Sequence, residues 1–102
     1  MIRFQLGDGS QYVANVIFYD IEIKDDRVEV YIGTDRGKVC YELRPTNDDR
    51  KEFIYMRNNI ADGLDKNYCL IKEDPNNSVV TLGNCAYKGN RVKSDFFPRK
   101  EE

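Results

Sequence analysis

Apolar and polar side chains alternate through most of the chain from Ile2 to Leu43, the period of a half-buried strand. Ile2, Phe4 and Leu6 alternate with polar neighbours, and Gly7-Asp8-Gly9-Ser10 supplies a turn in which glycine tolerates positive φ. A longer run extends from Gln11 to about Ile23 and is apolar on both sides around Val16 to Tyr19, which predicts a two-sided stretch or a bulge. Lys24-Asp25-Asp26-Arg27 turns the chain into Val28, Val30 and Ile32; Thr34-Asp35-Arg36-Gly37 turns it again into Val39, Tyr41 and Leu43. Connections this short predict sequential antiparallel neighbours.

The period then changes. Pro45 ends the sheet pattern, Thr46 or Asn47 offers a cap, and Asp48-Asp49 suits the positive end of a helix dipole. Phe53, Met56, Ile60 and Leu64 recur at spacings of three and four, so an amphipathic helix is expected over about residues 47–62, with Gly63 as its stop. Tyr68 to Lys72 and Ser78 to Leu82 read as two further strands. Cys85 to Tyr87 and Arg91 to Lys93 flank Lys88-Gly89-Asn90, which fits a tight hairpin, and Phe96-Phe97-Pro98 reads as a terminal anchor. The expected fold is α+β: one domain over residues 1–102, an antiparallel β-meander of about six to seven strands with one α-helix packed on a face.

Two-residue turns at Asp25-Asp26 and Asp35-Arg36 set the register of the central strands. Ile23, Ile21 and Tyr19 then lie opposite Val28, Val30 and Ile32, and these lie opposite Leu43, Tyr41 and Val39, giving a wholly apolar face. The opposite face carries the rows Glu22, Glu29, Glu42 and Lys24, Arg27, Arg44, followed by Asp20, Tyr31, Cys40. Like charges in one row repel, but each carboxylate has a cation on the diagonal, so much of the cost is offset. Glu22, Glu29, Tyr31 and Glu42 are therefore the candidate protein-binding face, aimed at a partner with a basic surface.

Composition removes whole classes of chemistry. The chain has 102 residues, 40% hydrophobic and 33% charged, with a formal charge of −2 and neither histidine nor tryptophan. Without histidine there is no Ser-His-Asp or Cys-His nucleophile and no imidazole base or metal ligand. Cys40, Cys69 and Cys85 are widely spaced, so no zinc site is expected, and free thiols fit a reducing cytoplasm. No apolar run is long enough to span a bilayer. Asp25-Asp26 and Asp48-Asp49 sit where aspartate bonds its own backbone, and Gly7-Asp8-Gly9 lacks the phosphate-loop pattern. No catalytic residue, cofactor or metal is expected, and the chain reads as a non-enzyme.

One charge asymmetry stands out. Residues 87–100 hold five cations against one acid, whereas residues 1–86 carry eleven cations and fifteen acids. Tyr87, Lys88, Arg91, Lys93, Phe96, Arg99 and Lys100 mix aromatics with cations, the pattern of a platform for single-stranded nucleic acid or another polyanion. With seven tyrosines, protein contact is the leading expectation: a small binding or regulatory module, with a homodimer through exposed edges as a further option. In size and composition the chain resembles the small domains that phages and mobile elements use to inhibit host proteins, which implies an inhibitory role.

Overall fold

A computed structural model describes residues 1–45, 50–67 and 69–94. The expected caps at Thr46 to Asp49, and the expected anchor and cations at Phe96, Phe97, Arg99 and Lys100, lie outside these residues. The elements are β1 (Ile2–Gln5), β2 (Gln11–Ala14), β3 (Val16–Ile23), β4 (Val28–Thr34), β5 (Gly37–Arg44), α1 (Arg50–Asp65), β6 (Cys69–Asp74), β7 (Val79–Leu82) and β8 (Cys85–Ser94). They make one eight-stranded sheet in the order β2-β1-β6-β7-β8-β5-β4-β3, with a single helix.

The central registers agree with the sequence pattern pair for pair. Ile23, Ile21 and Tyr19 face Val28, Val30 and Ile32, which face Leu43, Tyr41 and Val39. The first turn closes through Lys24 N–H donating to the Arg27 carbonyl at 2.8 Å, and the second brings Thr34 opposite Gly37. The doubly apolar stretch does hold a bulge, between Val16 and Phe18. The apolar rows form the core with Ile2, Phe4, Ile71 and Val80, covered by Phe53, Met56, Ile60 and Leu64 of α1. The helix stripe and the meander face thus bury each other.

Four expectations need correction. The run from Gln11 to Ile23 is not one strand: it breaks at Asn15, so β2 pairs with β1 and β3 with β4, at opposite ends of the sheet. The two edge strands, β2 and β3, therefore meet end to end, and the sheet must curl to let them. Asn15 anchors that corner. Its backbone N–H and side-chain amide donate to Asp35 at 2.9 and 3.1 Å, while Asp35 N–H donates to the Asn15 carbonyl. Asn67 Oδ1 accepts the Val16 N–H at 2.9 Å, so side chains replace the ladder bonds lost where the strand divides.

Lys88-Gly89-Asn90 is not a hairpin either. β8 runs unbroken through it, pairing with β7 from Cys85 to Lys88 and with β5 from Lys88 to Ser94. Gly89 has φ +148°, and an added Cβ would lie 1.9 Å from the Glu42 carbonyl oxygen, so glycine serves a close strand approach instead of a turn. The helix ends at Asp65, past Gly63, where Asn67 takes positive φ and donates its N–H to the Leu64 carbonyl. Finally, the sheet is mixed and has eight strands, not the expected six to seven. β1 pairs in parallel with β6, because the helix crossover returns the chain beside the first strand.

Candidate functional site

The side of β3-β4-β5-β8 away from the helix carries the candidate surface. Glu22, Glu29 and Glu42 form one row across three strands, continued by Asn90 of β8. The next row reads Asp20, Tyr31, Cys40, Lys93, and the one beyond it Phe18, Gly33, Lys38. Tyr31 and Lys93, expected in two different binding surfaces, are thereby brought onto the same face.

The acidic row is largely neutralised within the chain. Glu29 is only 8% exposed; Arg27 reaches it at 2.9 Å through Nη2 and 3.0 Å through Nε, and Tyr31 OH donates to it at 2.7 Å. The Tyr31 hydrogen bond and then Arg27 hold the Glu29 carboxyl below its usual range, and the same bond to Glu29 pushes the Tyr31 phenol up. Lys24 pairs with Glu22 at 3.0 Å, and Arg27 lies 3.8 Å from Glu42. Glu29 thus orients Tyr31 and has little left to offer a partner, whereas Glu22 and Glu42 remain partly exposed.

Two aromatics in neighbouring rows of this face stay open to solvent. Phe18 is 50% exposed and Tyr31 36%. The Phe18 ring lies on Gly33, where an added Cβ would meet it at 2.3 Å, and Lys38 Nζ stands 5.9 Å from the ring centre. Beside it a shallow, mainly apolar cleft of about 360 Å³ is lined by Phe18, Tyr31, Lys38, Cys40 and Lys93. Burial pushes the Cys40 thiol up, which disfavours the reactive thiolate. Phe18 was not among the sequence candidates; its signal is Gly33, a glycine inside a strand between Ile32 and Thr34, which marks a close approach.

Of the basic C-terminal set, the four described residues fall in different surroundings. Tyr87 is 8% exposed and sits in the core, so it presents no open ring for stacking. Arg91 Nε binds Glu73 at 3.0 Å, and that carboxylate also accepts Tyr41 OH at 2.7 Å and Gly7 N–H at 3.1 Å. Lys88 and Lys93 remain exposed, while Phe96, Arg99 and Lys100 lie outside the described residues. The Tyr41–Glu73–Arg91 cluster fastens β5, β6 and β8 together, and no local pattern in the sequence announces it.

Among the described residues, no cluster of three or more cysteine and carboxylate side chains is placed to hold a metal, and no helix is long and apolar enough to cross a membrane. Comparison of the chain with protein-family models, with curated proteins and with solved structures finds no match in any of the three.

Proposed function

We propose that this chain is a small non-catalytic protein-binding module, regulatory or inhibitory in effect, that acts through the outer face of β3-β4-β5-β8. The observation that carries this reading is the aromatic shelf. Phe18 and Tyr31 stay open to solvent on that face, beside acids that are mostly paired within the chain. Both aromatics are held in place, Phe18 on the glycine of a neighbouring strand and Tyr31 by its bond to Glu29. Rigid, half-exposed aromatics give contact area at little entropic cost on binding. The exposed Glu22 and Glu42 flank the shelf and favour cations on that side of the partner. The same reading puts the chain in the cytoplasm, acting by occlusion of a host or cellular protein.

Affinity capture from a lysate, with and without nuclease, tests it. A protein that is retained after nuclease by the natural chain, and lost with Phe18→Ser plus Tyr31→Ser, supports the reading. Equal capture by both forms removes it, and capture abolished by nuclease moves the function to nucleic acid.

A further inference from the structure

The geometry points to a more specific partner, a protein segment that places one large apolar side chain in the Phe18–Tyr31–Cys40 cleft with a carboxylate beside it over Lys93. This rests on the reading of the outer face as a protein-contact surface.

The argument begins with shape. The cleft of about 360 Å³ is large enough for an aromatic or branched aliphatic side chain, and its floor includes the buried Cys40. Its Phe18 wall is set by Gly33, since a Cβ there would meet the ring at 2.3 Å. The cleft is therefore preformed, and an apolar group entering it is removed from water against carbon on several sides.

Charge then gives the segment its chemistry. Along the row that crosses the cleft, Asp20 stands at the β3 end and Lys93 at the β8 end, with Tyr31 and Cys40 between. Lys38 adds a second positive charge on the lining, next to the Phe18 ring. A basic segment would bring its cations against these lysines. A segment with an acid on the β8 side of its apolar residue meets them favourably and keeps away from Asp20 and Glu22. Cations on the partner that meet Glu22 and Glu42 are compatible with this, because those acids lie one row away from Tyr31, Cys40 and Lys93.

A random peptide display library panned on the natural chain is the test. The expected outcome is enrichment of sequences with one large apolar residue next to aspartate or glutamate. A synthetic peptide of that pattern should bind about tenfold more weakly to the Lys93→Glu chain. Replacing its acid by lysine should restore binding to that variant. Thermal melting shows that the variant, altered at an exposed position, is folded. Enrichment of basic peptides, enrichment of none, or binding indifferent to both Lys93→Glu and Phe18→Ser would overturn the inference. The wider reading fails separately. Lysate capture lost with Phe18→Ser plus Tyr31→Ser but kept with Lys93→Glu overturns only the acidic segment, whereas capture indifferent to both overturns the two together.

Discussion

The two sides of strands β4 and β5 are built from alternate residues of the same chain, yet they are held by different forces. Toward the helix, Val28, Val30, Ile32, Val39, Tyr41 and Leu43 are all buried in one apolar cluster. Away from it, Glu29, Tyr31, Cys40 and Glu42 are held by an ion pair, a hydrogen bond and their strand neighbours. The inner side gains from removing carbon from water, at roughly 25 cal/mol per Å². The outer side gains little, because partly exposed ion pairs contribute about 0–1 kcal/mol. Residues such as Phe18 and Tyr31 can therefore be open without harm to the fold, and that freedom is what a contact surface requires.

The largest effect should come where the two sides share backbone. Gly89→Ala would push a Cβ to 1.9 Å from the Glu42 carbonyl at a positive φ, so β8 or β5 must move. A loss of about 3–4 kcal/mol in urea unfolding is expected, against the few tenths expected at an open glycine. Next is the inner side itself. Ile32→Ala should cost about 3 kcal/mol, since Ile32 is only 1% exposed and its cavity has no solvent to fill it. A cost near zero would mean that the central register is not as described.

Those two positions also show what was legible in the sequence. Ile32 was placed correctly because a two-residue turn on either side of β4 independently gave the same apolar face, and period-2 alternation cannot slip without exposing it. Gly89 was misread because a Gly-Asn pair serves a turn or a close strand approach equally well, and only the strands on both sides decide between them. The division at Asn15 had a trace in the sequence, a polar residue just before a doubly apolar run. The separation of β2 from β3 depends on β1 and β6, which no local pattern specifies. The candidate surface was half legible: register placed Tyr31 beside the acidic row, but Phe18 and the commitment of Arg91 to Glu73 follow from long-range packing.

Smaller effects sharpen the comparison. Tyr41→Phe removes the one polar tip that the inner side sends to Glu73, leaving that carboxylate with Arg91 and Gly7 alone. A cost of about 1–2 kcal/mol is expected from equilibrium unfolding, whereas Tyr31→Phe on the outer side should cost clearly less. Acid should act mainly where carboxylates are held by partners. Glu29 and Asp35 titrate below their ordinary values in the folded chain, Glu29 through Tyr31 and Arg27, Asp35 through the Asn15 N–H. The unfolded chain then binds more protons, so their stabilisation is full above the unfolded value, about pH 4, and is lost as pH falls through the folded one. Urea midpoints measured across that range should fall more steeply for the natural chain than for Glu29→Gln; equal slopes would show that the Glu29 cluster does not favour the ionised form.

A modest effect on stability is expected at the surface given the function. Phe18→Ser with Tyr31→Ser should lower the melting temperature by several degrees and leave the chain folded. The most direct measurement is therefore partner capture by this pair beside an apolar pair on the helix that is more exposed in sum, Ile54→Ser with Tyr55→Ser. The account predicts that capture is lost with the sheet pair and kept with the helix pair, both variants being folded. Capture lost only with the helix pair would contradict it, and would move the contact surface to the other side of the molecule.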